Sequence, residues 1–221
     1  MSARRSPASL QVVVPPDCVA LQGYDNGKIS TRYGQSSGAG GSLSAVSASD
    51  AANPPAIAQS APALGPRSVD VPEGNPDERE LLLAWLNFLR DALVRKLDGL
   101  DDERARWRPD GRLISLLGII NHLTHVEWRW IDGGMRGETT SRSEEEFQPG
   151  TELSVAAAIA AYRARAAATD AYVRSVSLAE PCLRGHGRDL RWVLLHLINE
   201  TARHAGHADS TRELLDGTTG E

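Results

Sequence analysis

The chain has 221 residues and a formal net charge of −5, enough for one or two domains. Its mild acidity gives no electrostatic reason to expect nucleic acid or an anionic membrane as partner, and no apolar run is long enough to span a bilayer. Cys18 and Cys182 lie far apart in unlike contexts, which is no disulfide framework and fits a reducing compartment. Arg4-Arg5 is followed only by Val12-Val13-Val14 before Pro15-Pro16, so no export-signal apolar region forms and the expected location is cytoplasmic. Of the 24 basic residues, Lys28 and Lys96 are the two lysines, leaving 24 − 2 = 22 arginines, the bias of a GC-rich genome.

Composition changes near residue 76. All five tryptophans come later, while stretches such as Gly34-Gln35-Ser36-Ser37-Gly38 lack the apolar residues that offset ordering entropy. Residues 1–76 are therefore expected to be a disordered low-complexity tail, and residues 77–217 a helical domain. Asn75 or Asp77 caps the first helix, with Leu82, Trp85, Leu86, Leu89, Leu93 and Leu97 as its apolar face, and it ends near Gly99. Asp101 to Trp107 reads as a short capped turn closed by Pro109.

The second helix is expected from about Leu113 to Asp132, with Leu116, Leu117, Ile120, Leu123, Val126 and Trp130 buried and Gly133-Gly134 as its stop. A polar loop follows over residues 135–151, and its Glu144-Glu145-Glu146 run reads as a solvated charge cluster. An alanine-rich third helix spans about Leu153 to Val176, with Val155, Ile159, Tyr162, Ala166 and Tyr172 inward. The fourth runs from about Leu190 to Leu215, with Gly217 just past its end. Four long helices and no strand pattern give an all-α fold, a four-helix bundle.

The chemistry concentrates in Glu200-Thr201-Ala202-Arg203-His204-Ala205-Gly206-His207. Residues three and four apart share a helix face, so Glu200, His204 and His207 point the same way. Glu200 and His204 read either as a surface pair or as two ligands chelating one ion from consecutive turns. His122, mid-way along the second helix, either satisfies a core hydrogen bond or completes a three-ligand set, provided the second and fourth helices pack together. Three protein ligands leave positions for water or substrate, the catalytic arrangement. Imidazole and carboxylate suit zinc, nickel, iron or manganese. His207 reads as a supporting donor ahead of a ligand or an acid/base, His125 and His196 as core or supporting residues, His186 as exposed, and Glu127 and Asp209 either as surface groups or as groups able to orient an imidazole. A di-iron site is disfavoured, because Glu200 and His204 are one residue too far apart for Glu-x-x-His and there is no second copy.

Ser115-Leu116-Leu117-Gly118-Ile119-Ile120-Asn121-His122-Leu123 resembles the second-helix motif of the DinB/YfiT-like superfamily. Leu190 to Glu200 followed by Arg203-His204-Ala205-Gly206-His207-Ala208-Asp209 resembles its fourth-helix motif, closest to an actinobacterial-type branch of unknown function. The resemblance covers residues 77–217 and implies an up-down-down-up bundle, in which the long loop after the second helix crosses the fold. It also implies a divalent metal held by His122, Glu200 and His204, with glutamate where most members have histidine, a set similar to the zinc site of mycothiol-dependent maleylpyruvate isomerase. His207 falls where many members have glutamine.

Relatives of known activity are often low-molecular-weight-thiol transferases or isomerases. The resemblance therefore implies a metal-dependent enzyme using a small-molecule thiol, mycothiol by the compositional bias, on a small electrophile. His207 or His125 would move the proton as catalytic group. The alternatives are a non-catalytic metal-binding stress or interaction protein and a structural bundle without metal. A bundle with a second apolar helix face also makes a homodimer an expectation.

Overall fold

A computed structural model describes residues 70–75 and 77–219. The expected tail over residues 1–76 lies outside them, apart from the exposed stretch at 70–75. The described residues hold no β-strand and five helices: α1 (Glu78–Arg95), α2 (Asp102–Arg106), α3 (Leu116–Trp128), α4 (Val155–Ser175) and α5 (Leu190–Asp216). No helix among them is long and apolar enough to cross a membrane. Each helix starts where a short polar side chain can take up orphan amides: Asp77, Asp101, Ser115, Ser154 and Asp189 are the caps. α5 ends at Gly217, whose φ of 74° suits the left-handed cap position.

The second helix differs from expectation at both ends. It begins at Leu116 behind the Ser115 cap, and it does not stop at Gly133-Gly134. α3 continues as a π-helical segment, Arg129–Met135, and the break comes at Gly137, where φ is 74°. Gly133 serves close packing, since a Cβ there would lie 2.8 Å from Thr140 Oγ1. Every residue of the expected α3 stripe is buried. On α1 the stripe is rotated: Leu83, Leu86, Arg90, Leu93 and Leu97 are buried, and Trp85 is 36% exposed on the outer face.

The ion pairs give the helix directions. Arg191 meets Glu78 at the start of both α1 and α5, and Lys96 meets Asp209 near their ends, so these two run parallel. Arg174 meets Glu80, which sets α4 antiparallel to α1. α3 lies against α4 and α5, antiparallel to α5, because His122 faces Glu200 while Trp130 faces Trp192 and His196. The result is the up-down-down-up bundle, with residues 136–154 returning along its length.

Its core comes in two apolar blocks. Leu93, Leu97, Leu117, Ile120, Leu123 and Tyr162 form one, and Leu83, Leu86, Trp130, Ile131, Val173 and Leu194 the other. Between them in sequence on each helix sit the buried charges Arg90, Glu127 and Asp170. Arg90 donates to both oxygens of Glu127 at 2.8 and 2.7 Å and to Asp170 at 2.7 Å.

Candidate metal centre

α3 packs against α5, and this seam brings His122 to Glu200 and His204. The Nε2 of His122 lies 3.6 Å from Glu200 Oε1, and the Nε2 of His204 lies 3.5 Å from the same oxygen. The two imidazole rings meet edge-on with centroids 4.8 Å apart. One ligand atom from each of the three residues falls within 4.8 Å of the others.

These separations are too long for ordinary hydrogen bonds. They match the spacing of atoms around an ion: two ligands at bonds near 2.1 Å with tetrahedral angles stand about 3.4 Å apart. The donor set fits as well, since two imidazoles and a carboxylate suit a first-row divalent ion. The Nδ1 of His204, the nitrogen turned away from the triad, has no hydrogen-bond partner among the described residues. The residues can therefore hold a divalent metal, with His122 buried and Glu200 and His204 partly open to solvent.

The electrostatics agree with a cation site. His122, and after it His204, holds the Glu200 carboxyl far below the usual carboxylate range, so it is ionised. Burial lowers the His204 ring below the ordinary imidazole value and outweighs the opposing pull of Glu200. A neutral imidazole facing an ionised carboxylate is the protonation state that a metal requires.

The surroundings correct several expectations. Glu146 is not a solvated charge: it is 1% exposed, while Glu144 and Glu145 beside it are exposed. Its Oε1 lies 2.5 Å from His122 Nδ1, and Arg129 donates to both of its oxygens. Burial pushes the Glu146 carboxyl up, but the bonds from His122 and Arg129 outweigh it and bring its pKa down to about 2. Phe147 stacks on the His122 ring at 4.7 Å. The available signal for this loop was Phe147 itself, a lone aromatic in a polar stretch, which marks an anchored segment. Glu127 and Asp209 reach no imidazole; the first pairs with Arg90 and the second with Lys96.

The two other sequence candidates flank the triad. His207 is exposed, with its ring edge-on to His204 at 5.6 Å. His125 is half-buried, and its Nδ1 donates to the Asn121 carbonyl at 2.8 Å. Burial lowers its pKa. His196 lies off the triad, stacked on Trp192 beneath the Arg188 guanidinium.

Residues 81–217 match the family model described as MST, mycothiol-S-transferase. The chain belongs to that family. The mycothiol-S-transferases lie within the DinB/YfiT-like superfamily that the helix motifs resemble. The match takes in α5 and α3 entire, and with them all three converging residues. Membership implies a small-molecule thiol as substrate. No curated protein matches the chain.

Proposed function

We propose that this protein is a divalent-metal-dependent S-transferase that joins mycothiol, or a thiol like it, to a small electrophile, with His122, Glu200 and His204 as the metal ligands and zinc as the preferred ion. The convergence of these three side chains in a chain of the mycothiol-S-transferase family carries the reading. A divalent ion bound there lowers the pKa of an approaching thiol and favours its thiolate.

The remaining work falls to the chain's own groups. The reaction forms one carbon–sulfur bond, releases the thiol proton, and sends the electron pair of the broken bond to the leaving group or opened ring. His125 and His207 are the proposed carriers of that proton. The Nδ1–H of His125 is committed to the Asn121 carbonyl, so its Nε2 is the accepting nitrogen. His207 stands on the solvent side of His204, where a proton can be returned to water. Glu200 is partly open to solvent, with the Arg203 guanidinium 4.0 Å from its outer oxygen.

The test joins metal analysis to turnover. Untagged protein grown with zinc and nickel should carry close to one equivalent of metal and conjugate mycothiol to a chlorinated aromatic or an epoxide. Protein that is metal-free and rebinds none overturns the metal reading. Metal-loaded protein inactive with mycothiol, bacillithiol, glutathione and coenzyme A overturns the transferase reading, and leaves a metal-binding module.

A further inference from the structure

The two imidazoles of the triad are held differently. His204 has no hydrogen-bond partner on its Nδ1 among the described residues, whereas His122 is gripped on that atom by Glu146. Glu146 belongs to the segment 143–148, which lies across α3 and touches one face of it repeatedly. The Asn121 amide donates to the Glu146 carbonyl at 2.9 Å. Arg129, two turns further on, grips both carboxylate oxygens. Phe147 covers the His122 ring and carries the Arg142 guanidinium at 5.2 Å. Gly118, one turn before His122, lets the segment come this close. A Cβ at Gly118 would stand 2.3 Å from the Phe147 carbonyl oxygen, a backbone atom that cannot swing aside.

We propose that residues 143–148 form a strap whose Glu146 fixes the tautomer and orientation of His122, holding the hydrogen on Nδ1 and leaving Nε2, the atom that faces α5, as the nitrogen free to ligate. The reasoning is one of donor and acceptor bookkeeping. Arg129 has donors and no acceptors, so the carboxylate it grips with both oxygens is an acceptor. The short contact to His122 then requires the hydrogen on Nδ1. In the neutral ring this leaves the lone pair on Nε2, the atom that faces Glu200 at 3.6 Å. Partners of this kind orient a ligating imidazole and raise its basicity. Glu146 is thus a positioning residue that acts through His122, and Gly118, Asn121 and Arg129 position the strap.

The inference rests on the metal reading only for its consequence, because the tautomer itself can be read without metal. Nitrogen-15 NMR of the histidine rings in metal-free full-length protein should find His122 protonated on Nδ1. Glu146→Ala should move that proton toward Nε2, the site preferred by an unconstrained imidazole. Glu146→Gln, which keeps an accepting oxygen, should hold an intermediate position and serves as the readout if the alanine variant does not fold. In competition with a chelator for zinc, Glu146→Ala should bind about 10–100-fold more weakly than the wild type. Gly118→Ala, which displaces the strap while leaving Glu146 intact, should weaken zinc in the same direction. A wild-type His122 protonated on Nε2, or a tautomer unmoved by both Glu146 substitutions, overturns the proposal. If the wild type binds no zinc, the proposed function fails, while the tautomer measurement still decides the role of the strap.

Discussion

Arg90, Glu127 and Asp170 form one polar layer inside the bundle, and His122, Glu200 and His204 form another at the α3–α5 seam. In the first, the guanidinium meets its carboxylates at 2.7–2.8 Å, and Asn87 bridges the remaining oxygens by accepting from Arg90 at 2.7 Å and donating to Asp170 at 2.9 Å. In the second, the facing atoms stand 3.5–3.6 Å apart, beyond ordinary hydrogen-bond length. A polar cluster that closes its own hydrogen bonds holds a fold together. One whose ligand-type atoms stand too far apart to bond one another, yet close enough to share an ion, can receive a cation. Each layer draws one member from α3, Glu127 and His122 respectively, and the distances within each layer draw the distinction.

Substitutions can break this contrast. The largest effect should come from Arg90→Met, which strands Glu127 and Asp170 as buried unpaired carboxylates. Loss of about 3–5 kcal/mol is expected in urea unfolding monitored by circular dichroism. A loss below about 1 kcal/mol would mean the layer is not the closed network its distances describe. Glu200→Gln in metal-free protein should cost far less, because no hydrogen bond of ordinary length is removed.

Next in size is linkage to metal. Zinc at a hundredfold excess over its Kd should stabilise the wild type by about 2.7 kcal/mol and raise its Tm. The Glu200→Ala, His204→Ala double variant should show neither the shift nor bound metal by elemental analysis. An undiminished shift in the double variant would place the ion elsewhere. A smaller effect is expected from His207→Ala. Its ring is exposed, so stability should stay within about 0.5 kcal/mol and metal content should be unchanged. Turnover should fall if it carries the proton, and unchanged turnover would remove it from the proposed machinery.

The smallest effect concerns Cys182, the one cysteine among the described residues. Burial pushes its thiol pKa up, so at a given pH less of it is thiolate than in a free cysteine. In a Cys18→Ser background, alkylation by iodoacetamide at pH 8 should run slower than for a free thiol and accelerate as pH rises toward the shifted value. Rapid labelling at pH 7 would reverse the sign of that shift. It would also make Cys182 a competitor for the electrophile that the exogenous thiol is proposed to attack.

Much of the fold was readable in advance because it is local. The α3 stripe repeats at helical spacing, caps stand where polar residues precede apolar runs, and the Glu200/His204 pair is set by a helical turn. The differences arise where a residue's environment is judged from its type or its near neighbours. Glycine breaks helices, so Gly133 reads as a stop, yet here it makes room for Thr140. Glu146 follows two solvated glutamates and reads as solvated charge, yet it is buried against His122 and Arg129. Helical spacing puts Trp85 on the apolar face, yet it is 36% exposed, while Arg90, between the inward Leu86 and Leu93, is buried and requires the buried acids it meets.

The amino-acid order alone therefore determined the helices and the placing of Glu200 and His204 one turn apart on α5, since each depends on neighbours within a few positions. The sequence also offers His122 as the partner of that pair, on condition that α3 and α5 pack together, and the resemblance matches it to a ligand position. The packing of α3 on α5 decided that His122 faces Glu200, and the return of the 143–148 strap over Gly118 decided that Glu146 grips it. Those are contacts between segments distant in sequence, fixed by which surfaces exclude water together, and no local pattern encodes them.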